Sequence, residues 1–302
     1  MAVAKCSKCD SDSIIFLHYV RKHFCPMHFK ELFEKRFRST IREFGMIQKG
    51  DRIAVGLSGG KDSTVLLRCL HELSDDLPMG LVAVTIDEGI DNYRDATLRI
   101  AKRETRKLGI EHRIISFKKE LGKTLDSILK KEGSLPCSYC GVLRRGLLNR
   151  AARELGANKL AIGHNLDDVA QTTLMNILRN EPDRIARFME PQIKHPSFIQ
   201  RIRPLLRTPE KEVAIYAMVR GINIDHQECP YAQSAFRQTV RRQLNEMEES
   251  HPGTKFKVLG SFLSMDKAMK VKSEKTLKTC SSCGEPSAGK ICRFCEMKIS
   301  FF

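Results

Sequence analysis

One stretch constrains this chain more than any other: Val55-Gly56-Leu57-Ser58-Gly59-Gly60-Lys61-Asp62-Ser63. The apolar run Ile53-Ala54-Val55 leads in, and Val65, Leu66, Leu67, Leu70 and Leu73 lead out at helical spacing, which predicts a strand, a glycine turn and a helix N-terminus. Such a junction binds anions. The first helical turn offers free N–H groups, the helix dipole adds positive charge, and Gly59 and Gly60 let the backbone approach a phosphate. The turn is not a Walker loop, because Val55 stands where that motif needs its first glycine and Asp62 where it needs Ser or Thr. Nor is it the dinucleotide pattern G-x-G-x-x-G.

From Asp51 to about Asp225, apolar runs alternate with helical patterns. Strands are expected at Arg52–Leu57, Leu81–Ile86, His112–Phe117, Lys159–Ile162 and Ile222–Asp225, with helices near Asp62–Leu73, Tyr93–Leu108, Cys140–Leu155, Leu166–Arg179 and Glu210–Val219. This alternation indicates an α/β fold with a doubly wound parallel sheet, whose ligands sit beyond the carboxyl ends of the strands. The expected segmentation is a zinc finger over residues 1–30, a linker helix over 31–50, the nucleotide domain over 51–228, a basic helical extension over 229–275 and a zinc ribbon over 276–302.

Charge and cysteines narrow the class. The formal charge of +16 suits a polyanionic partner, since Lys and Arg release counterions from phosphates on binding, although a generally solvated basic surface gives the same total. No apolar segment approaches bilayer length and Met1-Ala2-Val3-Ala4-Lys5-Cys6 lacks a signal-peptide core, so a cytoplasmic protein with no membrane partner is expected. Eleven cysteines, mostly in C-x-x-C pairs, favour metal sites in a reducing compartment over disulfides.

Cys6-x-x-Cys9 followed by Cys25-Pro26-Met27-His28 supplies four ligands for a structural zinc, with free thiols as the alternative. Cys280-x-x-Cys283 and Cys292-x-x-Cys295 read as a zinc ribbon. Between them, Cys137 and Cys140 stand near a helix N-terminus, where a thiolate is favoured. Cys229 has a comparable setting, whereas Cys69 reads as a buried apolar residue. Three thiolates leave one coordination position open and suit an iron–sulfur cluster whose unique iron binds an exogenous ligand. A Cys137/Cys140 disulfide or persulfide pair and a third zinc with an unseen ligand remain open. Gly163-His164-Asn165-Leu166-Asp167-Asp168 follows the fourth strand, so Asp167 or Asp168 either caps a helix or offers a carboxylate to substrate or magnesium. Ile86 is either core or a platform for adenine. Arg237, Arg241 and Arg242 lie on a charged helix pattern from Gln233 to Glu249, as a solvated face or as phosphate contacts.

Ser58-Gly59-Gly60-Lys61-Asp62-Ser63 resembles the PP-loop of the N-type ATP pyrophosphatases, which split ATP into AMP and pyrophosphate and adenylate a substrate oxygen. The combined pattern, from Cys6 to Cys295, resembles the tRNA 2-thiouridine synthetases of the archaeal and eukaryotic cytoplasmic type. It comprises two zinc modules, the PP-loop, C-x-x-C-G with a distant third cysteine, G-H-N-x-D-D, and Pro209-Glu210-Lys211-Glu212-Val213 with Tyr216-Ala217. The resemblance implies that ATP lies against Gly56, Ser58, Gly59, Gly60, Lys61, Asp62 and Ser63, with Ile86, Arg144, Gly163 and Asp168 completing its site. Ser58 and Ser63 would be hydroxyl donors, and Lys61 would counter the pyrophosphate charge. Cys137, Cys140 and Cys229 would hold a [4Fe–4S] cluster with one iron free of protein ligands, and Asp168 would be the essential acid. The implied cofactors are ATP, Mg2+, that cluster and two structural Zn2+. The implied partners are tRNA, a second copy in a homodimer, and a sulfur donor, either a sulfur-carrier thiocarboxylate or inorganic sulfide. The uridine C2 oxygen would attack the α-phosphate of ATP, and sulfur would then displace AMP.

Gly141-Val142-Leu143-Arg144-Arg145 resembles the members that act on the wobble uridine, whereas those acting on the thymine-loop uridine carry lysine at the Arg144 position. Gln171 departs from the glutamate frequent in the family. Two other classes remain: adenylation for amidation, which leaves three core cysteines without purpose, and a non-catalytic zinc-ribbon RNA-binding protein.

Overall fold

The computed structural model describes residues 3–132, 136–181, 184, 195, 197–223, 227–232, 236–269 and 277–300. A short antiparallel hairpin, β1 (Ile15–Leu17) and β2 (Lys22–Phe24), leads into helix α1 (Pro26–Glu43). Pro26 starts that helix where a missing N–H is harmless. Its apolar stripe, Phe29, Phe33, Phe37 and Ile41, is buried, and the Phe33 ring stacks on Tyr216 at 3.9 Å between centroids. Each of these side chains contributes roughly 1.5–3 kcal/mol by leaving water. The helix begins five residues before the expected linker segment of 31–50 and ends at Glu43, and it is part of the main core: Ile15, Leu17 and Phe24 of the hairpin belong to the same buried cluster as Val55 and Leu66.

Five parallel strands follow, β3 (Arg52–Gly56), β4 (Gly80–Asp87), β5 (Glu111–Ser116), β6 (Lys159–Ala161) and β7 (Gln200–Ile202), in the order β5-β4-β3-β6-β7. On β3, Ile53 and Val55 pack with α1 and with α2 (Lys61–Asp76). Ala54, between them, packs on the other face with Val82, Val84, Leu160 and helix α6 (Pro136–Glu154). A strand covered on both faces buries both sets of its alternating side chains. The order reverses at β3, so a crevice opens beyond its carboxyl end, where the Ser58 turn lies.

Helix α3 (Arg94–Lys107) crosses from β4 to β5, and the short α4 (Phe117–Leu121) and α5 (Leu125–Glu132) precede α6. Helix α7 (Leu166–Leu178) follows β6, and α8 (Glu210–Val219) follows β7. Helices α9 (Phe236–Ser250) and α10 (Thr254–Met269) pack on α7. A two-stranded ribbon, β8 (Lys278–Thr279) and β9 (Pro286–Ser287), and helix α11 (Arg293–Ser300) close the chain against α6. Gly146 makes that docking possible, since a Cβ there would sit 2.7 Å from the Phe294 ring. No helix among the described residues is long and apolar enough to cross a membrane.

One strand differs from expectation. The fifth is Gln200–Ile202, paired with β6, and Ile222–Asn223 is not a strand; Ile224 and Asp225 lie outside the described residues. Ile222 instead donates its N–H to Ala217 O at 2.8 Å, just past Gly221 at φ +58, and so seals the end of α8. Its apolar side chain is buried as a helix stop.

Candidate active site

Gly59 has φ +86, and a Cβ on it would stand 2.0 Å from Thr97 O, so the turn passes directly against α3. Inside the turn, Ser58 and Ser63 hydroxyls lie 3.0 Å apart, Ser58 N–H donates to Ser63 Oγ at 3.1 Å, and Ser63 Oγ donates to Gly60 O. From the next loop, Gly163 approaches the start of α2 so closely that a Cβ would be 3.0 Å from Asp62 C and Ser63 N.

The crevice is a cavity of about 320 Å³. Its floor is apolar, with Val84, Ile86, Leu148, Leu160 and Ile162, and its walls carry Ser58, Asp62, Ser63, Arg144, Gly163 and Asp168. Gly56, Ser58, Asp62, Ser63, Ile86, Arg144, Gly163 and Asp168 are therefore brought together as the sequence predicts. Ile86 is a core residue, 4% exposed, that also forms part of the floor. Gly59 and Gly60 shape the turn without lining the cavity.

Lys61 is not aimed into this crevice. It lines a separate groove of about 740 Å³ beside β1 and α8, 2.9 Å from Asp62 and 2.7 Å from Glu210. Burial lowers its pKa, but the two carboxylates more than compensate and hold the ammonium above its ordinary value.

The G-H-N-x-D-D segment forms a reciprocal cap. Asn165 Oδ1 accepts from Asp168 N–H at 3.1 Å, and Asp168 Oδ2 accepts from Asn165 N–H at 3.1 Å. Asn165 also donates to Asp62 at 3.0 Å, which ties α7 to the turn. The two aspartates divide the labour. Asp167 accepts from Glu210 N–H at 2.7 Å and from Lys255, a bracing role, while Asp168 faces the crevice. Solvent reaches 37% of its side chain through the mouth, but the surrounding walls exclude enough water to raise its pKa to about 6. His164, at the rim, keeps an accessible surface; crowding first, then the charges of Arg203, Arg144, Arg237 and Arg201, lower its pKa to about 3. It is a neutral imidazole.

Arg237 and Arg241 are both paired within the chain. Arg237 donates to Gln171 Oε1 at 3.1 Å and Thr172 Oγ1 at 2.9 Å, and Arg241 pairs with Glu210 at 3.1 Å and Glu228 at 3.2 Å. Arg242 is exposed.

Sequence reasoning missed Arg94 and Glu88. Buried Arg94 donates to Ser58 O at 3.1 Å, Thr97 Oγ1 at 3.0 Å and Ile86 O at 2.6 Å, and its Nε lies 2.9 Å from Glu88 Oε2, off the hydrogen-bonding line. Glu88 is also 3.6 Å from Arg144. The available signal was a carboxylate one residue past a strand end with a basic residue six positions on. Arg201 and Arg203 also line the crevice; their alternation around Ile202 marks the short strand.

Cys137 lies in the first turn of α6, its Sγ 3.9 Å from Tyr231 O, and Cys140 and Cys229 pack into the cluster beneath α6. The three thiols are near enough for charge on one to act on the others. The expected thiolate preference at the helix start does not hold for Cys140, because burial outweighs the neighbouring charge of Arg144 and raises its pKa to about 12; burial also raises Cys229. An all-sulfur donor set fits an iron–sulfur cluster, and its spacing, looser than that of the terminal quartets, fits ligands bound to separate irons. Among the described residues, only the two terminal quartets bring all their ligand atoms within 4.8 Å of one another.

Those quartets have single-ion dimensions. A tetrahedral zinc with bonds of about 2.3 Å to sulfur and about 2.0 Å to nitrogen sets S···S edges of about 3.8 Å and S···N edges of about 3.5 Å. His28 Nδ1 lies 3.4, 3.5 and 3.4 Å from the sulfurs of Cys6, Cys9 and Cys25, and Cys9 lies 3.8 Å from Cys25. In the ribbon, Cys283 and Cys292 are 3.6 Å apart, with Cys280 and Cys295 completing the set.

A family model described as "PP-loop domain" matches residues 29–248. The chain is 37% identical to "tRNA 2-thiolation protein NcsA" of Haloferax volcanii, over 97% of this chain and 98% of that protein. It is 35% identical to "tRNA-5-methyluridine(54) 2-sulfurtransferase" of Pyrococcus horikoshii, over 97% and 93%. A solved structure, the U34-tRNA thiolase NcsA from Methanococcus maripaludis with its [4Fe-4S] cluster, superposes with a TM-score of 0.85 at 34% identity, covering 99% of this chain and 97% of that one. Matches of this extent run through the whole chain, and the chain belongs to the PP-loop tRNA 2-thiolation family.

Proposed function

We propose that the protein is an ATP-dependent tRNA sulfurtransferase that makes 2-thiouridine, at the wobble position of the anticodon. The observation that carries this reading is the position of Arg144, which lines the nucleotide crevice and stands beside the three-cysteine set. The apolar floor at Ile86 takes adenine, the Ser58–Ser63 turn takes the β- and γ-phosphates, and Asp168, with Asp62 close by, holds magnesium on the phosphates. The uridine C2 oxygen attacks the α-phosphorus, the bond to the β-phosphate breaks and pyrophosphate leaves. Sulfur then adds at C2, the C2–O bond breaks and AMP departs, so sulfide-level sulfur enters with no change of oxidation state. The family's sulfur chemistry fits Cys137, Cys140 and Cys229, which would hold a [4Fe–4S] cluster; when bound, such a cluster supplies an iron without a protein ligand for the incoming sulfur. The terminal quartets hold structural zinc.

The wobble assignment is supported by Gly141-Val142-Leu143-Arg144-Arg145 and by the U34 thiolase named above; the relative named for position 54 is the competing case. Mass spectrometry of nucleosides from isolated tRNA species decides it, in a deletion strain complemented with wild-type protein or with Cys137→Ala. The expected result is 2-thiouridine in wobble-modified species with wild type and none with the variant. Unchanged thiolation with a folded Cys137→Ala protein sinks the three-cysteine reading, and thiolation confined to the thymine loop sinks the wobble assignment.

A further inference from the structure

The nucleotide crevice does not end at Arg144. Arg145 and Arg201 line its far wall, and the same two residues line a second cavity of about 220 Å³ between α6 and the C-terminal ribbon. Phe198, Phe294 and Arg293 border that cavity, so the two hollows form one trough from the loop to the ribbon. Basic side chains elsewhere on these elements are neutralised, Arg150 by Glu120 and Arg153 by Glu285. The guanidinium groups of Arg145 and Arg201, by contrast, have no ion-pair or hydrogen-bond partner among the described residues. Crowding together with the neighbouring charge of Arg144 lowers the pKa of Arg145, and crowding with Arg145 lowers that of Arg201 to about 10.

Unpaired guanidinium groups held side by side are unfavourable until an anion lies between them, and their fork geometry suits phosphate oxygens. The ATP phosphates are accounted for by the turn on the opposite wall. A second anion that also spans half-buried Phe198 and Phe294 and reaches exposed Arg293 has the make-up of a single nucleic-acid strand, with charge along its backbone and flat apolar bases.

We propose that the trough between α6, β7 and the C-terminal ribbon is the track for the single-stranded tRNA segment carrying the target uridine, with Arg145 and Arg201 clamping the phosphate beside it. The ribbon then guides the strand as well as bracing α6. The inference rests on the sulfurtransferase reading above and deepens it.

The test uses full-length protein, an unmodified tRNA transcript and binding isotherms over about 50–200 mM salt, with ATP titrated separately by calorimetry. Arg145→Glu and Arg201→Glu should each weaken tRNA binding at least tenfold and flatten log K against log salt by about 0.7 per lost phosphate contact. ATP affinity should fall less than tRNA affinity in each variant. Arg201→Gln, which keeps the side chain's bulk, serves if charge reversal at that half-buried position unfolds the protein, and it should still flatten the slope. Wild-type tRNA affinity and slope in these variants would overturn the proposal. So would an equal loss of ATP affinity, which makes the pair part of the nucleotide site, or intact tRNA binding with lost binding of a sulfur-carrier protein. A wild-type protein that binds no tRNA counts against the sulfurtransferase reading itself.

Discussion

Replacing Arg94 tests whether the phosphate turn is held from below. Arg94 reaches Ser58 O, Ile86 O and Thr97 Oγ1 and lies 2.9 Å from the Glu88 carboxylate, which is 4% exposed. Arg94→Met removes the nearer cation and leaves Glu88 with Arg144, 3.6 Å away on a half-exposed side chain. Breaking a buried pair by deleting one partner costs about 3–5 kcal/mol. For a chain of this size, that is a fall on the order of 10 °C in Tm. Urea unfolding should therefore show a lower midpoint with an unchanged slope. Because the cost lies largely in the orphaned carboxylate, Arg94→Met combined with Glu88→Gln should be less destabilised than the sum of the single variants, by about 1–3 kcal/mol. ATP affinity, which depends on the Ser58 carbonyl being held, should fall on the order of tenfold in Arg94→Met and stay low in the double variant. Costs that add to within about 0.5 kcal/mol, or ATP binding restored by the second change, would refute the bracing role.

Asp168→Asn keeps an acceptor for Asn165 N–H and removes a group whose folded pKa is raised to about 6. A raised carboxyl pKa gives stability that is full below the unfolded value near 4 and is lost as pH climbs through about 6. The variant should therefore flatten the stability profile between about pH 4 and 6 and be more stable at pH 7 by about 1 kcal/mol, the partial exposure of the side chain having reduced the figure. Thiolation should collapse in the same protein, and an unchanged pH profile would contradict the assignment. Gly59→Ala must fit a Cβ 2.0 Å from Thr97 O at φ +86; left-handed strain of about 1–2 kcal/mol and overpacking of about 1–3 kcal/mol predict a clear loss in chemical denaturation together with loss of ATP binding, and full stability would show that the turn does not touch α3. Elemental analysis should find about two zinc ions per chain for the two quartets. Cys25→Ser and Cys292→Ser should each remove about one, and a zinc content unaffected by both would leave the quartets as free thiols.

The features legible in the sequence are those fixed by local chemistry. Ile53–Val55 reads as a strand because both of its faces are covered, Ser58–Ser63 reads as an anion turn because only glycine accepts the conformation at Gly59, and each terminal ligand quartet reads from spacing because a set that can close on one ion needs its paired ligands close in sequence. What the sequence does not display is set by partners far along the chain. Lys61 reads as part of the crevice, yet it lines the neighbouring groove and pairs at 2.7 Å with Glu210, 149 residues on. Arg237 and Arg241 look like a basic face because their acceptors come from α7 and α8. Gln200–Ile202 has one apolar residue in three, too weak a signal beside Ile222, whose buried side chain serves a helix end instead. Cys140 follows the same rule in energetic form: helix position favours the thiolate locally, and burial by the rest of the fold prevails.

Glu88 is where these distant contacts become functional. Its carboxylate touches Arg94, which supports the turn, and Arg144, which borders both the crevice and the cysteines. A charge buried to that degree is tolerated only while its cations remain in place. The nucleotide crevice and the three-cysteine set border one buried anion, so under the proposed reaction loss of Glu88 should uncouple them: Glu88→Gln should retain ATP binding in the absence of tRNA and lose the dependence of ATP affinity on bound tRNA. An Glu88→Gln protein in which tRNA still changes ATP affinity by the wild-type factor would remove Glu88 from that coupling and leave Arg94 a structural brace alone.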